Sequence, residues 1–110
     1  MSMDSLISRL EEGASSERDA ALGLHRVSSG FHDAWSALRL LRESLSAMSK
    51  AADKSKDTKF EEKCSAVARK IEALSKQLGA LDDEFTAAFA GSKMQSLAQR
   101  GADKINPDDV

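Results

Sequence analysis

Apolar residues recur along the middle of the chain in two runs that have the spacing of a heptad repeat. The first run advances in alternating steps of three and four residues and contains Leu24, Val27, Phe31, Ala34, Leu38, Leu41, Leu45, Met48 and Ala52. The second run advances in the same way and contains Phe60, Cys64, Val67, Ile71, Leu74, Leu78, Leu81, Phe85 and Ala88. This spacing places each run on one face of an α-helix and is typical of helices that pack side by side in a coiled coil.

A short polar segment, residues 53–57, separates the two runs. A connection of this length between two helices is typical of antiparallel neighbours. When the runs are paired outward from this turn, Ala52 faces Phe60 at one end and Leu24 faces Ala88 at the other. Position a of the heptad is taken by Leu24, Phe31, Leu38 and Leu45 in the first run and by Cys64, Ile71, Leu78 and Phe85 in the second. Every layer then joins an a position to a d position, as an antiparallel coiled coil requires. The pattern therefore predicts an antiparallel helical hairpin whose core is the line of a and d positions.

The first residues predict a separate short helix. Asp4 stands before an apolar stripe and Gly13 follows it, which are the usual start and stop signals of a helix. The stripe consists of Met3, Leu6, Ile7 and Leu10. Two arrangements are open: this helix folds back over Trp35 to make a three-helix bundle, or it docks on another subunit of a larger oligomeric bundle.

Capping residues set the other predicted boundaries. Ser16 with Asp19, and Thr58 with Glu61, have the spacing of a capping box at the start of a helix. The predicted helices span about 4–12, 16–53, 58–90 and 92–100. They form a single domain over residues 1–101, and residues 102–110 are expected to be a flexible tail.

The composition is that of an all-α chain and excludes several functional classes. The 110 residues include 17 alanines but only three valines, three isoleucines and two threonines, so residues that favour strands are scarce. The single cysteine excludes an internal disulfide and a paired-cysteine metal site. A formal net charge of −2 offers nothing to attract nucleic acid. No apolar run approaches the roughly 18 residues that a membrane span needs.

Side chains that carry catalysis or bind metals do not converge in the sequence. His25 and His32 are two helical turns apart, about 10 Å, which is too far to share a metal ion. Cys64 lies on the predicted contact line, where a thiol is a small core residue. We therefore expect no enzymatic activity, no cofactor, no metal site and no small-molecule substrate.

Several apolar or small residues lie outside the predicted contact line and are the candidate contacts to a protein partner. A two-stranded hairpin buries one stripe on each helix, which offsets the conformational entropy of folding poorly, so further helices are expected. Trp35 and Phe89 lie on one flank of the hairpin, and Gly30 and Ala37 lie seven residues apart on the other. The candidate contacts are Leu6, Ile7, Leu10, Leu22, Gly30, Trp35, Ala37, Leu40 and Phe89.

These features favour a non-enzymatic helical protein–protein interaction module. It would be a homo-oligomer, or a small subunit or scaffold of a helical assembly. The alternative is a secretion-type or assembly chaperone that sheathes a helix of a partner protein. The expected location is the cytoplasm, because Asp4, Arg9 and Glu11 interrupt the first residues where a signal peptide would be apolar. Leaderless secretion is left open.

Overall fold

A computed structural model describes the backbone of residues 3–106 and the side chains of residue 3 and residues 16–106. Over this range the chain forms three α-helices, α1 (Met3–Lys54), α2 (Thr58–Ala90) and α3 (Lys93–Gly101). A 3₁₀ turn follows at Ala102–Lys104. No described residue lies in a β-strand, so the all-α prediction is confirmed for this part of the chain.

α1 is one uninterrupted helix where the sequence predicts two. It runs through Gly13, so the prediction of a short helix over 4–12 that ends at this glycine is wrong. A glycine usually ends a helix by adopting a positive φ angle, and no glycine among the described residues does so. A glycine inside a helix costs only about 1 kcal/mol relative to alanine, which the helix-forming residues around it offset. Residues 4–12 therefore belong to α1.

The turn between α1 and α2 is closed by backbone hydrogen bonds. The amide of Asp57 donates to the carbonyl of Ala52 at 2.9 Å, and the amide of Lys56 donates to the carbonyl of Asp53 at 3.1 Å. With Lys56 at a φ of 59°, this is the Schellman arrangement that ends a helix. The Asp57 side chain accepts a hydrogen bond from the amide of Phe60 at 3.2 Å and so caps α2. The capping residue is thus Asp57, one position before the predicted Thr58.

The described chain divides into two compact units. One unit consists of residues 31–84, which include the end of α1, the turn and most of α2. The other consists of residues 3–30 and 85–106, which include the start of α1, the end of α2, α3 and the 3₁₀ turn.

In the unit of residues 31–84, the helices contact each other along a different line from the one predicted. The more buried positions of α2 are mostly a and e of the heptad repeat, and they include Cys64, Ala68, Ile71, Ser75, Leu78 and Asp82. Leu45 and Ser49 of α1 line the same pocket as Cys64 and Ala68, so a and e positions of the two helices come together. The prediction that a and d positions form the core is therefore wrong for most d positions of this unit.

Small side chains explain the shift from d to e positions. Ser49, Ala68 and Ser75 occupy e positions, and their small volume lets the two helices approach closely on that flank. The larger side chains at the d positions are then turned outward. Burial in this unit is limited as a result, since its buried side chains among the described residues are the small Ala52 and Cys64.

The other unit has a core of small residues where α3 meets α1. Ala21, Ala98 and Gly101 are its buried residues within the described chain. A Cβ atom built on Gly101 would overlap the carbonyl group of Glu17 and lie 2.9 Å from the amide nitrogen of Arg18. Only a residue without a side chain allows this approach, so the identity of Gly101 determines how closely α3 packs on α1.

Glu17 joins α1 to the end of the chain. Its carboxylate accepts a hydrogen bond from the Lys104 ammonium, and Oε1 lies 3.6 Å from Nε of Arg100. The hydrogen bond from Lys104 lowers the pKa of Glu17 below its ordinary value of about 4.5. Desolvation opposes this shift, and the charges of Lys104 and Arg100 add to it. Residue 104 lies in the segment expected to be a flexible tail. Of that segment, residues 102–104 form the 3₁₀ turn, and 107–110 lie outside the described residues.

We expect Glu17→Gln to lower the midpoint of thermal unfolding at pH 7, and the difference from the natural protein to shrink in acid. A carboxyl whose pKa is lowered by folding stabilises the protein above its unfolded pKa, and that contribution is lost as pH falls through the folded pKa. The measurement is a series of circular dichroism melts from pH 7 down to pH 2. Glu43→Gln, at an exposed position of α1, is the control. A difference that stays constant over this pH range would contradict the assignment.

Candidate protein interaction surface

A stripe of large apolar side chains is exposed on the unit of residues 31–84. It consists of Leu41 and Met48 of α1 and Phe60, Val67, Leu74 and Leu81 of α2. We call it the d stripe, because all six residues occupy d positions of the heptad repeats. Each side chain is between 43% and 55% exposed. A continuous set of half-exposed apolar side chains is a common mark of a surface that binds another protein.

A groove between the helices accompanies the d stripe. Its volume is about 420 Å³. Ala34, Ala37 and Leu38 of α1 line one side, and Leu74, Gln77, Leu78 and Leu81 of α2 line the other. Gln77 is the one polar side chain in this lining. The groove therefore offers an apolar seat for a side chain or a helix from another molecule.

The positions on the outer side of the d stripe are mostly small. They include Ala37, Ser44 and Ala51 of α1 and Ala66, Ala73 and Ala80 of α2. Charged residues on the same side of α2 are Lys63, Lys70 and Glu84, which share the g positions with Gln77. The opposite side of α2 carries Glu62, Arg69, Glu72, Lys76 and Asp83. Going outward from the d stripe of α2, the g positions therefore come first, and the alanines at 66, 73 and 80 lie one position further around the helix.

Trp35 lies on the other flank of this unit, away from the d stripe. Its ring lies 3.8 Å from the point where a Cβ of Gly79 would be, which is a van der Waals distance, so the indole lies against α2 at this position. The ring also lines a pocket of about 340 Å³ together with polar and basic residues of α1, among them Arg39 and Arg42. Although Trp35 remains 44% exposed, it is part of the contact between α1 and α2.

The structure distributes the sequence-predicted contact residues over different places. Ala37 lines the groove, and Leu40 is 64% exposed on the neighbouring turn of α1. Gly30 is exposed, with nothing within 4 Å of where its Cβ would be. Leu22 and Phe89 are half-buried in the unit of residues 3–30 and 85–106. The side chains of Leu6, Ile7 and Leu10 lie outside the described residues.

Sequence reasoning missed the d stripe because it placed these six residues in the core. The signal that could have found them is the size of their neighbours. Small residues at e positions, such as Ala68 and Ser75, predict that the helices meet on the e flank.

The described part of the chain has little other chemistry to assign. Within it, no cluster of three or more His, Cys, Asp or Glu side chains has the geometry of a metal site. The thiol of Cys64 is free and buried. None of the helices, as far as the structure describes them, combines the length and apolar character needed to cross a lipid bilayer.

Comparisons with models of protein families, with curated proteins and with solved structures gave no significant match to this chain.

Proposed function

We propose that this chain is a non-enzymatic helical protein–protein interaction module that binds a helix of another molecule along the d stripe. The observation that carries the proposal is the half-exposed state of six large apolar side chains spaced seven residues apart within each helix. Side chains at this spacing lie in one row, so a partner helix can contact all those of one helix at once.

The surroundings of the d stripe support a helical partner in particular. Ala34 and Ala37 line the groove beside the stripe and leave room for the backbone of a second helix to come close. The apolar groove near Leu38 and Leu74 can accept side chains from that helix. Burial of the d stripe would remove apolar surface from water, which is the main source of affinity between helices in water.

In our proposal, residues 31–84 form an antiparallel helical hairpin that carries the d stripe. The short turn of residues 55–57 and the pockets lined jointly by α1 and α2 support this arrangement. The proposed location is the cytoplasm, where a reducing environment suits a free thiol such as that of Cys64.

A photo-crosslinking amino acid placed at Leu81 tests the proposal in the cells that make the protein. We expect adducts with one or a few defined proteins, identified by peptide mass spectrometry, because this side chain is the most exposed of the d stripe. The matched control carries the same amino acid at Lys76, which is exposed on the opposite side of α2. Equal adducts at both positions, or none at 81, would refute an interaction surface there.

The identity of the adducts decides between the two forms of the proposal. Adducts between copies of this chain indicate a homo-oligomer. An equimolar complex with a different protein, bound through one of its own helices, indicates a subunit of an assembly or a chaperone that sheathes a helix.

A further inference from the structure

We infer that the helix bound along the d stripe is α2 of a second copy of this chain, antiparallel to the first. The two copies are related by a two-fold axis that passes between residues 73 and 74 of α2. This inference rests on the proposed function, because it names the partner of the same surface. Its basis is that three apolar residues of the d stripe and the neighbouring g positions of α2 become complementary in one register.

The apolar residues pair without a gap in this register. In two antiparallel helices related by a two-fold axis, the same flank of each helix faces the other, so equal heptad positions become neighbours. Leu74 then lies against Leu74 of the second copy, next to the axis. Val67 lies against Leu81, and the symmetry repeats this pair on the other side. These three half-exposed side chains on each copy are all covered by one another.

The charges make the register specific. Lys63 of each copy lies opposite Glu84 of the other, and Lys70 lies opposite Gln77. Lys63 and Glu84 are 21 residues apart in the sequence, about 31 Å along the helix, so they do not pair within one copy. Neither forms an ion pair among the described residues. In the dimer they form two symmetric ion pairs, one at each end of the apolar contact, at the g positions that set orientation in coiled coils.

Registers shifted by one heptad are less complementary. A shift in one direction covers Phe60 as well, against Leu81, but it places Lys70 against Lys70 of the second copy, next to the axis, where like charges repel. A shift in the other direction pairs Lys70 with Glu84 but carries Val67 beyond the end of residues 31–84. Only the central register combines opposite charges with full cover of Val67, Leu74 and Leu81.

Sedimentation velocity of the purified full chain at a series of concentrations tests the inference. We expect a species of twice the 11.9 kDa chain mass that dissociates on dilution. Lys63→Glu alone, and Glu84→Lys alone, should each raise the dissociation constant about tenfold, because each turns two attractive pairs into two repulsive ones. The double variant Lys63→Glu with Glu84→Lys should restore the constant of the natural protein.

Two further variants serve as controls for this charge exchange. Lys76→Glu changes the net charge by the same amount as Lys63→Glu but lies on the opposite side of α2, so it should leave the dissociation constant unchanged. Lys70→Glu with Glu84→Lys should not restore association, since it would do so only in the shifted register. Restoration by this pair, or failure of the first pair to restore, overturns the inferred arrangement.

Leu74→Glu gives a test that does not involve the ion pairs. It places two carboxylates next to the axis and should raise the dissociation constant more than a hundredfold. Leu74 is 49% exposed and glutamate is a good helix former, so far-UV circular dichroism should show unchanged helix content. A natural protein that stays monomeric at every concentration overturns the second copy as partner. Adducts of the Leu81 crosslinker with a different protein would then still support the proposed function.

Discussion

Replacing Gly101 with alanine is expected to lower the free energy of unfolding by about 2 kcal/mol or more. The added Cβ would overlap the carbonyl group of Glu17, and it also lies 2.9 Å from the amide nitrogen of Arg18. Both are backbone atoms of a helix, so neither can move aside without displacing α3 from α1. Overpacking of this kind typically costs about 1–3 kcal/mol even where side chains can adjust.

Gly23→Ala is the matched control for this prediction. Gly23 is exposed in α1 of the same unit, and nothing lies within 4 Å of where its Cβ would be. Alanine favours a helix over glycine by about 1 kcal/mol, so this variant should be more stable than the natural protein. Urea denaturation, monitored by circular dichroism, measures the free energy of unfolding of both variants. Changes of the same sign in the two variants would show that α3 does not pack on α1 as described.

The helical class and the position of the main turn followed from the sequence because both depend on local chemistry. Scarce β-branched residues and abundant alanine exclude a sheet of any size. The polar segment 53–57 marks the turn, and the predicted bounds of 58–90 for the following helix are those of α2. Both features depend on composition and on residues close together in the sequence. They can therefore be predicted without knowing which residues of the two helices contact each other.

The end of the first helix was mispredicted because a glycine has two opposite uses. Gly13 has the position of a helix stop, yet α1 continues through it. Gly101 has the same appearance in the sequence and lies at the end of α3, where it is needed for a close contact with Glu17. The difference lies in what surrounds each glycine in space, which the residues next to it in sequence do not specify.

The surface was only partly predictable for a related reason. A heptad pattern identifies the apolar face of each helix but leaves its rotation by some tens of degrees undetermined. That rotation decides whether Leu74 or Ser75 faces the other helix, and the volumes of both helices decide it together. Ala37 and Leu40 lie outside the a and d positions, so the sequence predicts them as contacts to a partner. The six residues of the d stripe occupy d positions, so the sequence places them in the core.

A pair of aspartate substitutions in α2 separates the observed core from the predicted one. Cys64→Asp should lower the free energy of unfolding by about 3 kcal/mol or more at pH 7, because residue 64 is only 5% exposed and a carboxylate there loses its hydration. Val67→Asp should cost about 1 kcal/mol, since this side chain is 44% exposed. Valine, cysteine and aspartate have similar helix propensities, so that contribution cancels. If the a and d positions formed the core as predicted, both substitutions would lower the free energy of unfolding strongly.

The dependence on pH and on protein concentration gives the two variants distinct signatures. Burial raises the pKa of a carboxyl, so the penalty of Cys64→Asp should be largest above that raised pKa and should diminish as pH falls below it. Val67→Asp should show little such change. If α2 pairs with a second copy, the penalty of Val67→Asp should instead grow with protein concentration, because the natural protein then gains stability from association. A penalty at 67 that matches the one at 64 at every concentration would return the d positions to the core and remove the surface from which the interaction was inferred.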